Sequence, residues 1–132
     1  MDYQIIEGAE NIDLDAVMRL LGNTYWAGSR TRVQMETAMK HSECYGVRVD
    51  GQIVGFARVF TDYATAYYLC DVVIDEAYRG QGLGKALVGY IESRPMFAGL
   101  RGFLFTRDAH GLYARFGYEV VNGRSMSKQA KR

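Results

Sequence analysis

Three glycines alternate within Arg79-Gly80-Gln81-Gly82-Leu83-Gly84-Lys85, and Arg79 and Lys85 flank them with positive charge. Glycine admits positive φ and lets a ligand come close to the main chain. The stretch falls between an apolar run, Leu69 to Ile74, that reads as a buried strand, and a run, Leu83 to Glu92, that reads as a helix. At such a junction the N–H groups of the first helical turn lack partners, and the positive end of the helix dipole lies behind them. The chemistry these residues suit is phosphate binding. Two nucleotide-binding readings fail on spacing. A dinucleotide fingerprint needs G-x-G-x-x-G, and Gly84 comes one residue early. A P-loop needs four residues between its glycines and Ser or Thr after Lys, whereas three separate Gly80 from Gly84 and Ala86 follows Lys85. A tight strand-to-helix turn with no ligand stays open as the other reading.

Two further residues stand out by type and place. Asp71 is an acid inside an apolar strand, between Cys70 and Val72. That placement suits a proton acceptor, acting directly or through water, or a structural partner of a nearby arginine. Glu43 and Asp62, at strand ends, are weaker candidates for the same task. Tyr113 lies on a short amphipathic run, where a tyrosine by itself reads as packing.

The composition bounds the rest. The chain has 132 residues, 48% hydrophobic and 23% charged, with a net charge of +1. This fits a single domain, residues 1–132, with a real core and with no basic surface for nucleic acid. No apolar run approaches membrane length, and the N-terminus has no signal-peptide pattern, so a soluble cytoplasmic protein is expected. Cys44 and Cys70, the two cysteines, lie in strand-like runs and read as free buried thiols. No metal-ligand spacing occurs.

These residues need a scaffold, and the hydrophobic periodicity outlines one. Tyr3 to Glu7 is a first strand. Asn11 or Asp13 caps a helix carrying Leu14, Val17, Met18 and Leu21, and Gly22-Asn23 stops it. A link, Thr24 to Arg30, leads to a second helix over Thr31 to Lys40, whose apolar set is Val33, Met35, Ala38 and Met39. Strands Glu43 to Val49 and Gln52 to Thr61 join at Asp50-Gly51, a strong hairpin signal. Strand Thr65 to Ile74 leads through the glycine turn to helix Leu83 to Glu92, which Pro95 ends. Strand Leu100 to Thr106 then pairs in parallel through a right-handed crossover. A helix over Ala109 to Phe116 closes at Gly117, strands Tyr118 to Val121 and Arg124 to Ser127 flank Asn122-Gly123, and Lys128 to Arg132 is a frayed basic tail. The fold class is α/β of the α+β type: a mixed, mostly antiparallel sheet flanked by helices, with one parallel pair beside the glycine turn.

Arg79-Gly80-Gln81-Gly82-Leu83-Gly84 resembles the R-x-x-G-x-G pyrophosphate loop of the GNAT superfamily of acyl-CoA-dependent N-acyltransferases. Val72 to Tyr78 resembles that family's strand and lead into the loop, with Glu76 where proline is frequent. Ala109-His110-Gly111-Leu112-Tyr113-Ala114-Arg115-Phe116-Gly117-Tyr118 resembles the family's A-x-x-x-Y-x-x-x-G-[FY] helix. The element order is similar across nearly the whole chain. Thr106 stands where the family often has a cofactor-contacting Asn.

The resemblance implies a reaction and a set of roles. Acetyl-CoA is the acyl donor, and a primary amine of a small molecule or peptide is the acceptor, attacking directly. The N–H groups of Gly80, Gln81, Gly82, Leu83, Gly84 and Lys85, with the Arg79 side chain, hold the pyrophosphate. The pantetheine arm lies along Val72, Val73 and Ile74 in the manner of an added strand. The two parallel strands splay apart there, and a backbone N–H of Val73 or Ile74 faces the thioester oxygen. Tyr113 becomes the general acid for the departing thiolate, and Asp71 the base. Thr106 and His110 are further cofactor contacts. Tyr25, Trp26 and Arg30 line the acceptor cleft, with Tyr63 near the same end; Arg30 and Arg58 by themselves suit a substrate carboxylate or a merely solvated position. The cysteines lack a histidine partner, which disfavours an acyl-enzyme. A non-catalytic acyl-CoA sensor or scaffold is the competing reading. Sheet edges or the final hairpin offer routes to a homodimer.

Overall fold

A computed structural model of the protein describes residues 2–130. Five strands form one sheet in the order β1-β2-β3-β4-β5: β1 Gln4–Glu7, β2 Glu43–Val49, β3 Gln52–Thr61, β4 Ala66–Ile74 and β5 Arg101–Phe103. The first three pairings are antiparallel, and β4 with β5 is parallel. Helices α1 Leu14–Leu21, α2 Arg32–Lys40, α3 Leu83–Glu92 and α4 His110–Ala114 flank it. This is the expected mixed sheet with one parallel join. The expected tail at 128–132 falls partly outside the described residues.

Local chemistry accounts for the element ends. Asp50 and Gly51 both have positive φ, at 49° and 80°, as a tight primed hairpin turn demands. The Asp13 side chain accepts from the Asp15 N–H and starts α1. Thr31 and Gln34 form a reciprocal capping box that starts α2. Met35 and Met39 alone bury one stripe of α2; Val33, expected on that face, is 74% exposed.

The core has two layers. On one face of the sheet, α1 and α2 bury Val17, Leu20, Leu21, Met35 and Met39 against Ile53, Phe56 and Val73. On the other, α3 buries Leu83, Leu87, Val88 and Ile91 against Tyr45, Val47, Val59, Tyr67 and Leu69.

One strand changes sides midway. Tyr67 and Leu69 of β4 pack on the α3 layer, but so do Val72 and Ile74, while Val73 packs on the α1–α2 layer. Strict alternation cannot do this. The register with β3 shifts between Cys70↔Arg58 and Val73↔Phe56, so two residues of β4 oppose one of β3. The extra residue is a β-bulge at Asp71, which has φ 56°.

The parallel join is short. β5 pairs with Ala66, Tyr67 and Tyr68 only, so the expected strand Leu100 to Thr106 shrinks to three residues and 104–106 leaves the sheet. From Leu69 onward, β4 has an open edge on that side. The expected strands Tyr118 to Val121 and Arg124 to Ser127 are absent. Asn122-Gly123 does turn, but Val120 and Val121 remain 65% and 48% exposed. An isolated two-stranded ribbon is marginal in water, and so short a β5 offers it little ladder. The chain is instead pinned at Tyr118, whose hydroxyl donates to Glu92 Oε2 at 2.8 Å, while the Tyr67 hydroxyl donates to Oε1 of the same carboxylate.

Gly102 lies directly beneath this tie. A Cβ there would sit 2.7 Å from both the Tyr118 hydroxyl and the Tyr67 ring. Gly102→Ala is therefore expected to cost about 1–3 kcal/mol through overpacking, read as a lower urea midpoint; an unchanged midpoint would show that the two tyrosines yield freely.

Candidate active site

Two cavities meet on the open side of β4. The first, about 520 Å³, runs along Val72, Val73 and Ile74 to Arg79, Gly80, Gly82, Leu83 and Gly84, with Tyr78 and Leu112 in its walls. The second, about 480 Å³, is lined by Arg30, Arg58, Tyr68, Cys70, Asp71, Phe105 and Thr106. Tyr25, Trp26, Val72, Arg107, Asp108, Ala109 and Tyr113 border both. A third cavity, about 700 Å³, lies between α2 and the β1–α1 connection and touches neither.

The first cavity has the makings of an anion cradle. Gly80 and Gly82 have φ of 78° and 83°, a conformation only glycine takes without strain. Gly82 caps α3 with no side-chain bond, and the first intrahelical bond comes from the Ala86 N–H. The N–H groups of Leu83, Gly84 and Lys85 are thus left to a ligand. The strand beside them is also unfinished. The Asp75 N–H donates to Val54 O on β3 at 2.7 Å, so alternation turns the polar groups of Ile74 the opposite way, toward the open edge. Ile74 O, accordingly, accepts from Arg79 Nε at 3.0 Å. Of the two N–H groups expected to face a thioester, Ile74 has the outward direction, whereas Val73 opposes Phe56 and is turned to β3.

The second cavity is built on the bulge. Asp71 is 4% exposed, and its Oδ2 accepts from Arg30 Nη1 at 2.5 Å and from Arg58 Nε at 2.7 Å. Arg58 Nη1 also donates to Ser42 Oγ at 3.1 Å. Oδ1 of Asp71 is buried with no partner, a situation that costs about 1–3 kcal/mol for an ordinary acceptor. A non-glycine residue at positive φ adds a cost of about 1–3 kcal/mol. The two arginines are what hold this residue in place. Among the charged residues lining the cavity, Arg30, Arg58 and Arg107 outnumber Asp71 and Asp108, leaving a charge of +1.

Tyr113 stands between the cavities on α4. It is 8% exposed, and burial pushes its phenol from the ordinary 10.0 up to about 12, with Asp108 and Tyr25 adding to the effect. It therefore stays protonated at neutral pH. Burial likewise pushes the Cys44 and Cys70 thiols up to about 12. They are free thiols, as expected, and not nucleophilic thiolates. Tyr25 and Trp26 pack edge-to-face at 5.0 Å, and the Arg107 guanidinium lies 3.7 Å over the Tyr25 ring.

Several expected residues lie apart. His110 and Tyr63 are exposed and line neither cavity. Gln81 and Lys85 are exposed and lie outside the lining of the first cavity, although they adjoin Gly80, Gly82 and Gly84 that form it. Thr106 borders the second cavity and not the first; its Oγ1 accepts the Ala109 N–H at 2.9 Å and so helps start α4. Asp62 accepts the N–H groups of Ala64, Thr65 and Ala66, which makes it the cap of the β3–β4 turn. Glu43 borders the separate third cavity. Phe105 escaped the sequence reading because its apolar run reads as part of a strand that in fact ends at Phe103, and Arg107 because it lies in the irregular stretch beyond, which carries no periodic signal.

Comparisons with known proteins converge on one family. Residues 14–118 match the Acetyltransferase (GNAT) family. A solved structure of a putative GNAT acetyltransferase from Xanthomonas campestris pv. campestris superposes with a TM-score of 0.92 at 36% identity, covering 98% of this chain and 94% of that one. Two plant proteins match over 37 residues only. One is a histone acetyltransferase from Glycine max, 46% identical over 28% of this chain and 16% of its own length. The other is a chloroplastic GCN5-related N-acetyltransferase from Arabidopsis thaliana, 49% identical over 28% of this chain and 14% of its own.

The ion cluster makes its own prediction. Asp71→Ala removes the countercharge of two guanidiniums and places a Cβ residue without a polar side chain at positive φ, so unfolding free energy should fall by about 3 kcal/mol. Asp71→Asn tolerates that backbone better and should fall by less. Urea denaturation of both variants checks this; equal losses would mean the bulge contributes nothing.

Proposed function

The chain belongs to the GNAT acetyltransferase family and is an acyltransferase; we propose that it moves an acetyl group from acetyl-CoA to a primary amine of a small molecule or peptide by direct attack. The observation that carries this reading is the sharing of Tyr113 by two cavities, one an anion cradle with an open strand edge and the other an arginine-rich cleft. A donor held in the first and an acceptor held in the second would meet at that phenol.

The residues divide the work. The free N–H groups of Leu83, Gly84 and Lys85, with Arg79, suit the pyrophosphate of acetyl-CoA. The open edge at Val72 and Ile74 suits the amides of its pantetheine arm. Acetyl-CoA supplies the acetyl group as an activated thioester. The Ile74 N–H is oriented to stabilise negative charge on the carbonyl oxygen. As the nitrogen bonds to the acetyl carbon, the carbon–sulfur bond breaks. One proton leaves the nitrogen, for which Asp71 Oδ1 is the acceptor, directly or through water. One proton reaches the sulfur, for which Tyr113 is the donor. Cys44 is buried and Cys70 only half-buried at the cavity wall, both with thiols held protonated, so neither takes part and no acyl-enzyme is involved. The setting we assign is the cytoplasm; no helix of the described residues is long and apolar enough to cross a membrane.

A thiol-release assay over a panel of amines tests the transfer. Tyr113→Phe should keep CoA affinity and lower kcat by about 10²-fold or more. The phenol stays protonated until about pH 12, so it can give no alkaline loss of kcat between pH 8 and 10. An alkaline pKa in that range that vanishes in the Phe variant would remove the assigned environment, and an unchanged kcat would remove the role. Gly82→Asp should abolish CoA binding, by straining the αL cap and by placing a carboxylate at the phosphate. Normal calorimetric binding by that variant would show the cradle lies elsewhere. If CoA binds and no amine ever releases thiol, the domain is a sensor or scaffold instead.

A further inference from the structure

We propose that the acceptor is a small amino acid, a primary amine with an oxyanion a few bonds from its nitrogen; this deepens the function proposed above and rests on it for the amine. The cavity beside Tyr113 offers two unmet needs side by side. Asp71 Oδ1 is a buried acceptor with no donor, in a side chain 1% exposed. Around the same carboxylate, Arg30 is engaged with it through Nη1 alone, and Arg58 through Nε, with Nη1 on Ser42. Arg30 Nη1 also donates to Met35 Sδ at 3.5 Å. Nε and Nη2 of Arg30 and Nη2 of Arg58 carry no hydrogen bond to a described residue, and both side chains line the cavity. A guanidinium fork matches a carboxylate or a phosphate.

One guest satisfies both needs. Oδ1 is closed to solvent, so the wall over it must yield for the guest's amine N–H to meet it, while the guest's oxyanion meets the free guanidinium edges. Because those groups surround a single carboxylate, the guest's donor and its anion must be close neighbours, which describes an amino acid better than a long diamine. The cavity's charge of +1 works in the same direction, favouring a guest anion and disfavouring a second cation. Tyr25, Trp26, Tyr68 and Phe105 give an apolar wall for a side chain.

Trp26 is the chain's one tryptophan and borders this cavity, so its fluorescence reports occupancy without any turnover. Phenylalanine and leucine, their amides and their decarboxylated amines would be titrated into the protein and into Arg30→Gln and Arg30→Lys. Each amino acid should bind at least tenfold more tightly than its amide or its amine. Arg30→Gln should reduce the gap to below threefold, and Arg30→Lys, which keeps charge but loses the fork, should fall between. Arg30→Gln also takes a partner from the buried Asp71, so its melting temperature should fall, and the titrations are made well below that transition. β-Alanine against 2-aminoethyl phosphate tells which oxyanion is preferred. Equal or tighter binding of the decarboxylated amines, or no binding of any amino acid, overturns the proposal. Selective binding of amino acids without thiol release from any of them would support this inference and sink the transfer reaction, so the two failures are separable.

Discussion

The salt bridge from Asp71 to Arg30 and Arg58 is the contact on which the site depends. A carboxylate at positive φ in the middle of a central strand is unfavourable on two counts, conformation and burial. Two guanidiniums offset both, one reaching in from the link before α2 and the other from the neighbouring β3. In return the bulge they hold re-aims everything after it. Val72 and Ile74 turn to the α3 layer, which brings Val72 to the wall between the two cavities. Without the extra residue, the strand that enters the glycine turn would present the opposite set of side chains.

The second constraint is incompleteness. β5 stops after three pairs, and α3 begins without a cap that bonds its first N–H groups. Backbone polar groups are therefore left over along a strand edge and at a helix start, and they run continuously around one cavity. Unmet hydrogen-bonding capacity of this kind is where a folded chain can bind with its main chain and little else. On the function proposed above, grip and chemistry are separable: backbone would hold the donor, whereas Tyr113, Asp71 and the arginines would face the acceptor.

Much of this was legible in the sequence. The glycine turn, the Asp13 helix cap and the Asp50-Gly51 hairpin are local signals, and each appears where its residues dictate. The element order and the parallel join followed from them. The Asp71 bulge was not legible, because a single inserted residue leaves the apolar run intact and changes only which face it serves. Its acid was noticed, while the pair of arginines that neutralises it comes from 41 and 13 residues away, a distance no local pattern spans. The last two strands were misread for a related reason. Val120 and Val121 have strand-like propensity, but propensity becomes a strand only where a neighbour offers a ladder, and Tyr118 is instead tied to Glu92.

The short β5 also bears on how the protein behaves without its ligands. From Leu69 onward β4 exposes an unpaired edge, next to the half-exposed Phe103 and the largely exposed Phe105. An uncovered edge with aromatics beside it invites pairing with another chain. A molecule lying along Val72 to Ile74 would cover it, so the acyl donor would act as a chaperone of its own enzyme as well as a reactant, and the protein would be least prone to self-association when it is loaded.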